Sequence, residues 1–283
     1  MSGASSSPAV RWTAYVGIAI AFAVACAFLS HWQFSRNADR SAQLALVAAN
    51  YDAAPVPLST AVTGVDDFDG SYQWHPVDLH GTYLVEDQVV ARNRPHGGTS
   101  AFEVLTPLKL DDGRILIVNR GWMPAADRGD GPVAVPAPPT GQVEVVVRLR
   151  PGEPLPSSGR SAPDGQVPTI NLPLIAETTG AQTVTAAYGA LVSETPAASA
   201  MPNQLDAPSD DPGPFLSYAV QWILFAIMGF VFIWYVIRSE RRHRREEAEE
   251  EAGSTAAARR PLFTRREDRD MTDEDALLDR AGR

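Results

Sequence analysis

Residues 12–35 and 212–237 contain no Asp, Glu, Lys or Arg, and this constrains the fold more than any other feature of the chain. Coiled as helices at about 1.5 Å per residue, the two windows run roughly 36–39 Å, against about 30 Å for the hydrocarbon core of a bilayer. Both therefore read as transmembrane helices. The stretch between them, residues 36–211, is long enough for a compact domain with its own core. Ala23-Val24-Ala25-Cys26 has a faint likeness to a lipoprotein cleavage site, but the apolar run continues to Trp32. That is too long for the apolar region of a signal peptide, so the segment is expected to stay as a span. Trp12 and Tyr15 at one end, and His31 and Trp32 at the other, suit the two interfaces.

Charge sets the expected topology. Arg238, Arg241, Arg242, Arg244 and Arg245 follow the second window directly, whereas Asp206, Asp210 and Asp211 precede it. By the positive-inside rule the tail, residues 238–283, is cytoplasmic. Two spans then put the short N-terminal segment, residues 1–11, on the same side and residues 36–211 outside. The tail alternates Arg and Glu blocks that bury no core, and reads as disordered. Its Arg block would lie against anionic headgroups.

The formal net charge of −10 belongs mainly to the central domain. Such a surplus of carboxylates repels phosphate backbones and disfavours nucleic acid as a partner. The single cysteine, Cys26, lies in the first window. The domain therefore has no disulfide framework, no thiolate metal site and no cysteine nucleophile. With lysine almost replaced by arginine and with abundant Ala and Pro, the composition reads as that of a high-GC bacterium, which places the chain in a bacterial cell membrane.

Residues 36–50 read as a short helix, and Pro55 to Gly70 as irregular. Residues 77–84, 88–94, 102–110, 114–122, 143–149 and 186–193 are rich in β-branched and aromatic side chains and bounded by turn residues, which predicts strands. Asp111-Asp112-Gly113 predicts a hairpin turn. Residues 172–179 predict one helix capped by Asn171 and closed by Gly180. Residues 125–142 and 151–168 read as loops. The expected class is a mainly antiparallel β (α+β) extracytoplasmic domain flanked by two transmembrane helices.

No nucleophile elbow, phosphate-binding loop or zinc-protease motif occurs. His75 and His80 flank Asp78, but strand periodicity puts His75 on the other face, so these are read as surface or packing residues. Polar residues at the ends of apolar strands say more. Ile115-Leu116-Ile117-Val118 runs into Asn119-Arg120-Gly121-Trp122, and Val89-Val90 leads to Arg92-Asn93-Arg94-Pro95. A period of two places Arg92 and Arg94 on one face. Arg92, Arg94 and Arg120, with Asn93 and Asn119, form a candidate clamp for carboxylates such as haem propionates. The competing reading pairs them with the domain's own Asp and Glu. On the helices, Gly17, Ala21 and Ala25 form a small-residue row, while Tyr218, Gln221, Trp222, Phe225 and Gly229 share a face.

His31-Trp32-Gln33 with Arg36 and Arg40, Arg92-Asn93-Arg94-Pro95, Leu105-Thr106-Pro107-Leu108, Val118-Asn119-Arg120-Gly121-Trp122 and Leu216-Ser217-Tyr218-Ala219-Val220-Gln221-Trp222 occur in an order that resembles the surfeit locus protein 1 family. The resemblance covers residues 12 to about 237. It implies a non-enzymatic assembly factor for haem-copper cytochrome c oxidase, with transient contact to haem a, to oxidase subunit I and to the haem-delivery machinery. Carried onto this chain, it makes Trp122 a further partner contact, and His31, Trp32, Gln33, Tyr218, Gln221 and Trp222 candidates at the membrane face. Two positions depart from the family pattern. Arg40 stands where a lysine is common, and Phe215 stands where many members carry histidine. No Cys or Met cluster suits copper, and no resident metal is expected. From the residues alone, a membrane-tethered interaction or scaffold protein unrelated to haem stands as the alternative.

Overall fold

The computed structural model describes residues 8–127 and 131–258. It divides into two compact units, one formed by Ser35–Phe215 and the other by the chain on either side.

In the central unit, β2 (Pro76–Tyr83), β3 (Val89–His96), β4 (Thr99–Leu110), β5 (Ile115–Pro124), β6 (Gln142–Pro151) and β8 (Ala187–Thr195) are the six expected strands, each within a few residues of its sequence reading. Two further strands of two residues each, β1 (Val56–Pro57) and β7 (Gln166–Val167), lie at the ends of the sheet in stretches the sequence reads as irregular. The strand order is β1-β2-β6-β8-β5-β4-β3-β7, and β2 also pairs with β4. That extra pairing closes β2, β6, β8, β5 and β4 into a five-stranded barrel. Every pair within the ring is antiparallel except β5 with β8. The predicted sheet is thus mainly antiparallel as expected, but closed, which pattern alone does not reveal.

Alternation makes the barrel. Along β6, Val143, Val145, Val147 and Leu149 are buried and point inward. Val77 and Leu79 of β2, Leu108 of β4, and Leu116 and Val118 of β5 meet them, and α2 (Leu58–Ala61) packs Leu58 and Ala61 on the same cluster. Each such side chain contributes roughly 1.5–3 kcal/mol through burial. The outward residues Leu105 and Ile117 form a second cluster with Ile170, Leu172 and Ile175, the last two on α3 (Leu172–Thr179). That helix matches its sequence reading: Asn171 Oδ1 accepts from Leu174 N at 3.0 Å, and Gly180 closes it at φ +101. Gly81 pairs with Val143 of β6 on one edge and with Leu110 of β4 on the other, at the point where the ring closes.

The other unit consists of the apolar part of α1 (Pro8–Asn50) and of α4 (Phe215–Ala258). Each contains a window long and apolar enough to cross a membrane. Ser30 Oγ donates to Ala219 O at 2.9 Å, and a Cβ on Gly229 would touch Phe22. In the apolar part of α1 the buried positions among the described residues are Ala19, Cys26 and Ser30, whereas Gly17, Ala21 and Ala25 are exposed. The expected small-residue row is therefore offset by about half a turn from the face that meets α4. On α4, Ala219 is buried and Gly229 half-buried, while Tyr218 and Gln221 are exposed. Ser30→Ala is expected to weaken this contact by about 1 kcal/mol, measurable as a lower melting temperature of the full chain in detergent.

The tail expected to be disordered from residue 238 is helical to Ala258. Arg242 donates to Glu246 at 3.0 Å and Arg244 to Glu240 at 2.9 Å, so four-residue spacing supports a helix that has no core to pack on. Residues 1–7, 128–130 and 259–283, parts of the expected N-terminal segment, loop and tail, lie outside the described residues.

Candidate functional site

Two buried polar networks, one on each side of the barrel wall, contain Arg94, Asn119 and Arg120 of the residues singled out above. The inner one is built on Arg120. It follows Leu116 and Val118 at spacings of two along β5, so it points into the barrel, where its side chain is wholly inaccessible. Arg120 donates from Nη2 to Glu194 Oε1 at 3.3 Å and from Nη1 to Pro136 O at 3.0 Å. Glu194 Oε2 accepts from Tyr83 Oη at 2.9 Å, and the guanidinium lies 5.6 Å from the Tyr83 ring centroid. Burial first, and then the negative charge of Glu194, push the Tyr83 hydroxyl well above the usual tyrosine range, so it remains a donor. Of the two readings open for Arg120, a carboxylate clamp or pairing within the domain, the structure supports the second, with Glu194 as its partner.

The outer network is built on Arg94. Its Nη1 and Nη2 bind both oxygens of Glu153 at 3.0 and 2.8 Å, and its Nε donates to Glu103 Oε1 at 2.9 Å. Glu103 also meets His96 Nε2 at 3.2 Å and accepts from Asn119 Nδ2 at 2.6 Å, while Asn119 Oδ1 accepts from Gly121 N at 3.1 Å. Glu153 further accepts from the Thr169 hydroxyl and from Ile170 N. Burial raises the Glu153 carboxyl, but the hydrogen bonds from Arg94 and Thr169 outweigh it and hold the group below its ordinary value of 4.5. The folded carboxyl binds its proton more weakly than the unfolded one. Its contribution to stability is therefore complete above about pH 4.5 and is lost as pH falls through the depressed folded value. Glu153→Gln is expected to flatten the acid side of a stability profile measured between about pH 3 and pH 6.

The two strand-end arginines of β3 do not share a face. Ala91 pairs with Glu103 and Arg94 with Ala101, so Arg92 and Asn93 together oppose one residue of β4. The bulge takes Asn93 to φ +57, a conformation that asparagine adopts more readily than most residues. It returns Arg94 to the face of Ala91 and separates it from Arg92. The three-arginine clamp is therefore not assembled. Arg92 keeps a buried Nε without a partner, and Asn93 is exposed.

Trp122 stacks on His96 with ring centroids 5.0 Å apart and planes 2° from parallel. Its backbone exchanges two hydrogen bonds with Asn203, at 2.8 and 2.9 Å, and its Nε1 donates to Gln204 O at 3.1 Å. Arg40 similarly holds the carbonyls of Ser209 and Asp211 at 2.7–2.9 Å, and Phe215 lies under Arg36, 5.4 Å from guanidinium to ring centroid. His31 and Trp32 are exposed on α1, Gln33 has a buried Oε1 without a partner, and Trp222 is half-buried on α4. His80 lies 4.0 Å from Glu144, and His75 packs on Tyr72. Among the described residues no group of three acidic, His or Cys side chains is placed to hold a metal.

Reading the sequence picked out the basic half of each network and missed Glu103, Glu153, Glu194 and Tyr83. A carboxylate inside Phe102-Glu103-Val104-Leu105 was a usable signal, since an unpaired charge there is costly. Glu153, in a loop, carried none.

Comparison with known proteins bears on both units. A model of the SURF1 family matches residues 20–227, which include the whole barrel and most of both apolar windows. Uncharacterised SURF1-like proteins of Mycobacterium tuberculosis strain H37Rv and of Mycobacterium bovis are each 35% identical over 276 residues, covering 96% of this chain and 95% of theirs.

Proposed function

The chain belongs to the SURF1 (surfeit locus protein 1) family, and from that premise we propose that it is a membrane-anchored assembly factor for haem-copper cytochrome c oxidase. The observation that carries the reading is the extent of the family match, which takes in the barrel together with most of both apolar windows. Family members are in general oxidase assembly factors rather than enzymes. The proposed partners are oxidase subunit I, the haem-delivery machinery and the lipid bilayer.

The geometry favours one form of assistance over another. A haem held by its propionates needs guanidiniums free to grip carboxylates. Here Arg94 and Arg120 are engaged with Glu103, Glu153 and Glu194, and Phe215 gives an aromatic ring to Arg36 where an imidazole would give a ligand. These residues do not fit a propionate clamp. The proposed role is therefore stabilisation of the haem-bearing subunit, with Arg92, Asn93 and Trp122 as contacts from the barrel and His31, Trp32, Gln33, Tyr218, Gln221 and Trp222 as contacts from the helices.

Deleting the gene is expected to reduce the haem a absorbance of membranes several-fold, with restoration by the intact chain. Unchanged haem a, together with no oxidase subunit recovered alongside the protein in mild detergent, would favour a scaffold unrelated to the oxidase. The proposed topology puts both termini in the cytoplasm and the barrel outside, in a bacterial cell membrane. Reporter fusions at Gly159 and at Gly253 are expected to show opposite sidedness, and equal sidedness would reject this arrangement.

A further inference from the structure

We infer that α4 carries a binding site for the phosphate of an anionic glycerophospholipid, formed by Arg238, Arg241 and Arg245 beside Trp234. The inference rests on the proposal that α4 spans a membrane. At about 100° per residue the four side chains fall within about 60° of the helix circumference, and from Arg238 to Arg245 the axis rises roughly 10 Å. Together with Ile237 and Arg242 they enclose a groove of about 540 Å³.

What distinguishes these arginines from their neighbours is how the nearby glutamates are used. Arg242 pairs with Glu246 and Arg244 with Glu240. Among the described residues no carboxylate lies within pairing distance of Arg238, Arg241 or Arg245, so this face keeps its positive charge. Arg238 lies over Trp234, 5.5 Å from guanidinium to ring centroid, and Trp234 is itself exposed. An exposed tryptophan closing an apolar helix belongs at headgroup depth, and the guanidinium stacked on it is held at the same level. The next two unpaired guanidiniums follow one and two turns further along the same line. Three fork-shaped donors lining one groove suit a doubly accepting phosphate oxygen pair, and the attraction is strongest at the negatively charged cytoplasmic leaflet. A zwitterionic headgroup would bring its own cation against the arginines, so the site selects net anionic lipid.

The test uses the full chain purified in mild detergent, with bound lipid counted by native mass spectrometry during titration with phosphatidylglycerol or phosphatidylcholine. Phosphatidylglycerol is expected to bind at least about tenfold more tightly. The triple variant Arg238→Gln, Arg241→Gln, Arg245→Gln is expected to lose most of that preference, whereas Arg244→Gln, outside the groove, changes it less than about twofold. Equal binding of the two lipids, an equal loss in both variants, or displacement of the lipid by millimolar inorganic phosphate would overturn the inference. Alkaline extraction of membranes is run in parallel. Protein that stays in the pellet keeps the membrane reading intact if lipid selectivity fails, and protein that is released removes both.

Discussion

Arg120→Met is expected to destabilise the barrel by about 3–5 kcal/mol, because it strands the Glu194 carboxylate inside a closed sheet with the Tyr83 hydroxyl as its remaining partner. Against a net stability of about 5–15 kcal/mol for a domain of this kind, that is a large fraction. The measurement is the fraction of membrane protein that resists protease, together with the melting temperature of the full chain in detergent. Arg120→Lys should fall between wild type and methionine. One ammonium keeps the charge but cannot reach Pro136 O and Glu194 with the geometry of a planar fork. The double variant Arg120→Met, Glu194→Met removes the charge that the single variant strands, and is expected to recover much of the loss. If the double variant were as unstable as the single one, the network would not be the source of the effect. If Arg120→Met left the protein folded but removed oxidase haem a, the arginine would be acting on a partner and not on the barrel.

Gly81→Val is expected to cost at least about 3 kcal/mol, through a different mechanism. A Cβ at position 81 would sit 2.2 Å from Lys109 O and 2.9 Å from the Lys109 carbonyl carbon, both backbone atoms of β4. Backbone in a ladder cannot rotate away as a side chain can, so the β2–β4 pairing must open, and with it the ring. Amide exchange at Thr82, Tyr83 and Leu108 to Leu110 should rise sharply in Gly81→Val while exchange on β6 changes less. Gly113→Ala offers the contrast. It strains a left-handed residue, which Gly81 is not, but a Cβ there meets open space, so its cost should stay nearer 1 kcal/mol.

These two sites show what the chain disclosed before folding and what it withheld. The six strands, α3 with its Asn171 cap and the two apolar windows were legible because each rests on a local pattern: alternation, capping chemistry or length without charge. The closure at Gly81 was not. A glycine in a strand pattern announces a close approach but does not say by what, and Lys109 is twenty-eight residues away. The bulge at Arg92 and Asn93 was hidden for the same reason, since a period of two holds only while both strands keep step. The arginines are legible as chemistry-bearing residues, and the structure supports for Arg94 and Arg120 the competing reading of internal pairing, but which glutamates engage them is not legible, because these come from β4, β8 and the loop after β6. Nothing local in the sequence joins Arg94 to Glu153. The Arg and Glu blocks of the tail are spaced to pair along a helix but bury no core, and the continuation of α4 through Arg238 to Ala258 rests on that spacing.

The ring order has a bearing on how the domain is made. β8 is inserted between β6 and β5, joining Val118 to Gly189 and Val147 to Leu191. Until residue 195 has been synthesised, β5 and β6 are open edges facing a gap with no strand to fill it. Antiparallel hairpins can form early, but the last contacts span about 70 residues and must wait for the chain to arrive, which makes closure slow and late. During that interval the nascent domain exposes two unpaired strand edges and the apolar inner face of the future barrel, the condition in which β-proteins aggregate. A chain truncated before Ala187 would never leave that state, so premature termination between the end of β6 and Ala187 should yield insoluble fragments and not partially active ones.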